Sequence, residues 1–352
     1  MVRMGKKAIV ASHRSSKRMI FWTFVGLFAG GACGSAVRLG YFALQGRVVD
    51  WPWITMMVNL VGCFLLGCLT VVMASFGADS GAWRRVRLVV GTGAIGGFTT
   101  YSTFVLEGTT RVMSGAVAQG LAYLVACVGL GLVCAWAGLV VGGVLARALH
   151  AFLNRRPKTI RHRALAHDVR LADAGVASDA FDVGAARDEV GEDVASYTAD
   201  WRVPLEAGMI GLIVLAIPAF GFGVGRWRDP CALVRLIAAS LLGGLGVLIR
   251  YAVDGWVSRD CSGSIPVGTF VVNVTACLAI GLVFGWAARH AGFDVIRYLL
   301  ASGLLGGYST FSTAGVEGAR MARSGRCWGV LVHSGGMLAV SVVATITGLT
   351  LG

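Results

Sequence analysis

Nine stretches of this sequence are apolar and close to the length that spans a bilayer, and they fall in the order four, one and four. The first block covers about residues 20–38, 54–76, 86–107 and 113–147, and a lone stretch follows at about 204–225. The second block covers about 231–250, 266–288, 297–318 and 327–350. In lipid every backbone polar group must find its partner within the protein, which leaves helices or a closed barrel. Segments this long and continuous select helices. Charged residues make up 14% of the 352 residues, against roughly a quarter in soluble chains. The expected fold is therefore an all-α integral membrane protein with nine transmembrane helices.

Charge sets the orientation. The N-terminal tail, the loop GAWRRVR and the run NRRPKTIRHR are rich in Lys and Arg and fall on one side of the first block. The positive-inside rule makes that side cytoplasmic. It also accounts for the net charge of +13, so no nucleic-acid partner is expected. An even block alone would leave its copy pointing the same way. The lone stretch supplies one more crossing, so the second block runs inverted, with the N-terminus cytoplasmic and the C-terminus outside. The domains read as 1–149 for the first four-helix half, 150–203 for a polar flexible linker, 204–225 for an inverting helix and 226–352 for the second half. The basic N-terminal tail reads as leading into a retained first helix rather than a cleaved signal, because a long series of spans follows. The nine cysteines show no paired spacing, and most lie in apolar segments as small hydrophobes.

Three positions repeat in register. GSAVR ends at Arg38 and GVLIR at Arg250, each with a glycine four residues before the arginine (Gly34, Gly246). These arginines are either interfacial anchors that snorkel to water or groups that draw anions into a vestibule. VNLVG and VNVTA carry Asn59 and Asn273 inside apolar spans, where a carboxamide is either helix–helix glue or an anion ligand. Finally, GGFTTYSTF at 96–104 returns as GGYSTFSTA at 306–314. The paired glycines loosen the third helix of each block, and the hydroxyls satisfy the freed backbone groups. Unwound carbonyls near a pseudo-two-fold axis suit a cation, and hydroxyls with ring edges suit a small anion.

Interior acids are few. Glu107, Glu206 and Glu317 read as lying toward span ends, with no Asp–His relay of the kind a driven antiporter uses. His333 is the one further candidate. Phosphate loops, zinc ligand clusters and nucleophile–base pairs are absent from the sequence, so an enzyme is not expected.

In order and spacing these residues resemble the Fluc/CrcB family of fluoride channels, over both four-helix blocks. The resemblance implies a fused tandem form of a plan otherwise built from two antiparallel four-helix subunits. It implies a fluoride-selective passive channel in the plasma membrane, exporting fluoride and relieving its toxicity, functional as a single fused chain. It also implies a central structural sodium on the carbonyls of Gly96, Thr99, Gly306 and Ser309. Pore residues would be Asn59, Asn273, Tyr101, Phe104, Phe311, Thr103, Ser312 and Tyr123, with Arg38 and Arg250 at the vestibules. The family pattern is broken at Ala314, where a ring is lost, at His333, where a tyrosine is expected, and at Tyr101, which adds a hydroxyl. Cys127 and Met337 stand at the next polar position. One pore is therefore expected to be impaired. A secondary transporter with inverted repeats and a degenerate non-conducting scaffold are the alternative readings.

Overall fold

The computed structural model describes residues 2–44, 51–76, 81–154, 229–260 and 266–352. The lone apolar stretch 204–225, Glu206 and most of the polar stretch 150–203 lie outside the described residues. All regular structure among the described residues is helical. In the first half these helices are α1 (Val2–Leu44), α2 (Trp53–Ser75), α3 (Gly81–Val86), α4 (Tyr101–Met113) and α5 (Val117–Asn154). The second half holds α6 (Pro230–Asp260), α7 (Val267–Arg289), α8 (Asp294–Arg297), α9 (Phe311–Arg323) and α10 (Cys327–Val330). Helix α3 continues through the widened winding Arg87–Ile95 and one turn at Gly96–Phe98. Helix α8 continues likewise through Tyr298–Leu305 and Gly306–Tyr308, and α10 runs on to Leu351.

Seven of these helical stretches are long and apolar enough to cross a membrane, four in the first half and three in the second. The counterpart of Trp83–Met113 in the second half, residues 294–323, carries Asp294, Arg297, Glu317, Arg320 and Arg323. Those charges sit at its ends, and the stretch between them is diluted by Gly, Ser and Thr and so is less apolar than the other spans.

Local chemistry sets the boundaries. Pro52 and Pro266 directly precede α2 and α7, where a missing N–H is no loss and a fixed φ favours helix entry. Gly115 and Gly325 adopt φ of 92° and 73°, the left-handed turn that lets α4 fold back into α5 and α9 into α10. Within each half the second and fourth helices pack closely through small residues. A methyl on Gly67 would stand 2.6 Å from the Ala135 carbonyl oxygen, and one on Gly281 2.5 Å from that of Thr345. Lipid offers no hydrophobic drive between helices, so close backbone approach supplies the packing energy.

The halves meet through α1 and α6. Ser35 packs on Gly243, Gly31 on Val247 and Phe24 on Tyr251. Numbering rises along α6 as it falls along α1, so the two helices cross antiparallel. Ser35 and Val247, like Gly31 and Gly243, are equivalent positions of the repeat, so the contact is reciprocal. The helices after each break are exchanged as well: α9 packs on α2 and α5, and α4 packs on α7 and α10. The two breaks thus face each other at the centre.

Candidate functional site

Each break consists of two extended residues between helices. Thr99 and Thr100 lie at φ/ψ of −91°/154° and −143°/127°, and Ser309 and Thr310 at −75°/157° and −145°/125°. Leaving the helix there frees backbone groups in the middle of an apolar protein, and nearly every polar side chain nearby serves one of them. Asn59 donates from Nδ2 to the Thr100 carbonyl at 3.0 Å and accepts from the Thr100 N–H at 3.0 Å. Asn273 clamps Thr310 in the same way, at 3.0 and 2.9 Å. Both asparagines are fully buried.

The hydroxyls act across the halves. Ser309 Oγ accepts from the N–H groups of Tyr101 and Ser102, both at 3.2 Å, and lies 3.0 Å from Ser102 Oγ. Reciprocally, Thr99 Oγ1 accepts from the Ser312 N–H at 3.3 Å and lies 3.0 Å from Ser312 Oγ. Each half thereby caps the first turn of the other half's post-break helix. Within each half Thr100 and Thr310 accept from the N–H groups of Thr103 and Thr313, and the paired hydroxyls stand 3.0 Å apart. The hydroxyl run repeats because both breaks need the same two sets of caps.

The arginines do not stand at water-facing mouths. Arg38 is 0% exposed and Arg250 4%. The helical donors for the Gly96 and Gly97 carbonyls would be the N–H groups of Thr100 and Tyr101, which have gone to Asn59 and Ser309. Arg250 Nη1 therefore donates to the Gly96 carbonyl at 3.2 Å, and Arg38 Nε to that of Gly97 at 3.2 Å. Arg38 Nη1 also donates to Ser302 O at 2.9 Å, and Arg250 Nη2 to Thr92 O at 2.5 Å. Each guanidinium lies where a methyl on the opposite half's Gly306 or Gly96 would sit. Gly34 and Gly246 bring the arginine-bearing helices onto the backbone of Ala94 and Leu304.

Arg250 Nη1 also donates to the Ser309 carbonyl at 3.4 Å. Carbonyl oxygens from both halves, Gly96 and Ser309, thus converge on one cationic nitrogen. Hard oxygens gathered in this way have the chemistry of an alkali-cation site, and here the guanidinium competes for two of them.

The rings cluster beside the breaks. Tyr101, Phe104 and Phe311 lie with centroids 5.2–5.8 Å apart, and Phe104 is 5.9 Å from Tyr123. Phe311, from the second half, lies against Gly131 and near Cys63 of the first. Phe104, Phe311 and Tyr123 therefore cluster against the first half's α2 and α5. Ala314 lies with Tyr101, Phe311 and Met337, while His333 lies against Glu317. Cys127 and Met337 are buried, and Met337 Sδ lies 3.5 Å from Asn273 Nδ2.

A further pair of polar sites centres on Glu107 and Glu317, which the sequence places toward span ends without assigning them a role. Glu107 is half-buried, accepting at Oε1 from Thr55 Oγ1 and at Oε2 from Tyr123 Oη, both at 2.8 Å. Glu317 accepts from Thr269 Oγ1 at 3.0 Å and has His333 Nε2 at 3.4 Å from Oε2. The signal was available: Glu107 and Glu317 recur in the same register as the GG motifs, but position near a span end concealed them.

The family model for CrcB-like protein, Camphor Resistance (CrcB), matches the chain twice, at residues 25–139 and 237–351. Among curated proteins, the chain is 45% identical to "Fluoride-specific ion channel FluC 1" of Cutibacterium acnes, over 32% of this chain and 80% of the relative. It is 33% identical to "Fluoride-specific ion channel FluC 2" of Leifsonia xyli subsp. xyli, over 40% of this chain and 94% of the relative. It is also 34% identical to "Fluoride-specific ion channel FluC" of Nitratidesulfovibrio vulgaris, over 34% of this chain and 96% of the relative. No solved structure matches the chain significantly.

Proposed function

The chain belongs to the CrcB family, matched in both halves, and from that premise we propose that it is a fluoride-specific channel of the membrane rather than an enzyme. The carrying observation is the double family match laid over two breaks that complete each other. A single half keeps only its own Thr100 or Thr310 cap and loses the caps from Ser309 or Thr99 and, at Gly96, the Arg250 donor, so the working unit contains both halves, here in one chain.

The finer reading is a nine-helix chain with an inverted repeat in the plasma membrane, N-terminus cytoplasmic and C-terminus outside, carrying fluoride passively outward. Two contacts support the inversion. The equivalent helices α1 and α6 cross antiparallel. The end of α9, at Arg320, Arg323 and Ser324, shares a cleft with Thr70, Val71 and Ala74 of α2. That end of α2 leads into the basic loop at Arg84 and Arg85, which the positive-inside rule puts in the cytoplasm. The equivalent end of α4 points the other way.

For the ion path, dehydrated fluoride exchanges water for convergent donors and positive ring edges. In the first route Phe104, Phe311 and Tyr123 supply edges. The second Nδ2 proton of Asn59, the Thr103 hydroxyl and the Thr55–Glu107–Tyr123 group supply polar contacts. Asn273, Ser312 and Tyr101 serve the second. Arg38 and Arg250 act from within, as buried positive charge beside both routes. A sodium ion would be held by the carbonyls of Gly96, Thr99, Gly306 and Ser309; when bound it supplies positive charge that ties the two breaks together.

The test is efflux from liposomes holding the purified chain, with a fluoride electrode, with and without valinomycin, and with chloride alongside. Fast fluoride release that requires the potassium shunt, with chloride retained, is the expected result. Equal chloride release, or fluoride release without the shunt, contradicts it.

A further inference from the structure

Helix α9 ends with Arg320 and Arg323 in its last turn, both exposed. Among the described residues neither guanidinium has a hydrogen bond or an ion pair. Glu317, three residues back on α9, attracts Arg320, while Arg87 of the first half lies within Coulombic reach and opposes it. The two arginines line a cleft of about 330 Å³ together with Val71, Ala74 and Leu139 of the first half. That is roughly ten times a water molecule's share of liquid volume, so the cleft suits a phosphate with its glycerol better than a single small ion. Its walls differ in kind, with two guanidiniums on the α9 side and apolar side chains on the α2 and α5 side. Phe76, two residues beyond Ala74, stacks on Trp83 with centroids 5.1 Å apart and on His150 at 5.0 Å. Aromatic groups of this kind gather where hydrocarbon meets head groups.

The opposite end of the molecule lacks the feature. Matching Thr100 to Thr310 puts Thr110 at the position of Arg320 and Met113 at that of Arg323. The one arginine in the last turn of α4, Arg111, donates to the Glu107 carbonyl at 2.9 Å and lies over the Tyr123 ring. Arginine near a helix C-terminus suits the helix dipole at either end, so the dipole does not explain a pair at one end only. The two leaflets do differ, because the cytoplasmic one carries the anionic lipids.

We propose that this cleft seats an anionic phospholipid of the cytoplasmic leaflet, its phosphate held by Arg320 and Arg323 and its acyl chains laid on Val71, Ala74 and Leu139. This rests on the orientation that puts this end of α2 in the cytoplasm. The planar guanidinium fork matches phosphate oxygens, and basic pockets between membrane helices on the cytoplasmic side take such head groups. A choline lipid has the same phosphate, but its own ammonium offsets the charge, so the pair prefers a head group of net negative charge. Since α2 and α5 come from one half and α9 from the other, the bound lipid ties the halves together at that end.

The experiment is native mass spectrometry of the whole chain, released from detergent micelles with equal amounts of phosphatidylglycerol and phosphatidylcholine. The wild type should retain one phosphatidylglycerol, preferred roughly ten-fold. The double variant Arg320→Gln/Arg323→Gln should lose that preference. Arg84→Gln/Arg85→Gln removes as much charge from the same side and should keep it. The unfolding midpoint in detergent should rise with phosphatidylglycerol and not with inorganic phosphate. A wild type that retains the two lipids equally overturns the proposal, whether or not a variant folds. A preference that survives Arg320→Gln/Arg323→Gln, or falls as far in Arg84→Gln/Arg85→Gln, overturns it as well. A midpoint raised as much by inorganic phosphate would give the cleft to a free anion and overturn the lipid. None of these readings involves fluoride, so they leave the channel reading untouched. A C-terminal tag reached from outside intact cells supports the orientation independently, and a tag reached only after lysis overturns it and the assignment to the cytoplasmic leaflet.

Discussion

Ser309 and Tyr101 come from opposite halves, and the hydroxyl of the first accepts the backbone N–H of the second at 3.2 Å. The same oxygen serves Ser102 N and Ser102 Oγ, and Thr99 repeats the arrangement on Ser312. Capping side chains contribute about 1 kcal/mol each on replacement by alanine. Ser309→Ala and Thr99→Ala should therefore each lower the thermal unfolding midpoint in detergent, whereas Thr99→Ser should not. Equal midpoints for Thr99→Ala and Thr99→Ser would contradict the capping role.

One methyl group has changed places between the halves. A methyl on Gly62 would collide with Thr99 Cγ2, while the second half has Ala276 and, in place of threonine, Ser309. Gly62→Ala should destabilise by roughly 1–3 kcal/mol through overpacking. Thr99→Ser in the same chain should restore most of that loss. A double-mutant cycle measures the coupling, and additive effects would show that the two positions do not share this space.

How much of this was legible in the sequence follows from what repeats and what reaches. Span positions, the broken third helices and the paired glycines were readable, because apolar length and GG punctuation are local signals. Phe311 was named for the pore, but its seat on Gly131 of the other half is a tertiary fact that no local pattern carries. The family resemblance puts Arg38 and Arg250 at vestibules, and snorkelling was the alternative. They turn inward because the break withdraws donors from the Gly96 and Gly97 carbonyls, a demand visible only once Asn59 and Ser309 are seen to take those N–H groups. Glu107 and Glu317 were passed over for the same reason: their partners Thr55, Thr269, Tyr123 and His333 sit on other helices.

Tyr123 completes the hydrogen bonding of Glu107 in the first route. Tyr123→Phe keeps the ring and removes the donor, leaving one oxygen of a half-buried carboxylate unpaired. Fluoride efflux through liposomes should fall roughly ten-fold, equivalent to about 1.4 kcal/mol. Unchanged efflux would remove the phenol from the ion path.

If sodium occupies the carbonyls of Gly96, Thr99, Gly306 and Ser309, it binds the folded chain and not the unfolded one. Replacing sodium by N-methylglucamine should then lower the unfolding midpoint in a concentration-dependent way. A midpoint independent of sodium would leave the Gly96 and Ser309 carbonyls to Arg250 alone.

The most direct test of the account is the reversal potential of the reconstituted chain with fluoride on one side of a planar bilayer and chloride on the other. A fluoride-specific channel gives a potential set by the fluoride gradient, displaced by more than about 59 mV if fluoride is preferred at least ten-fold. A potential near zero, meaning equal passage of the two anions, would contradict it.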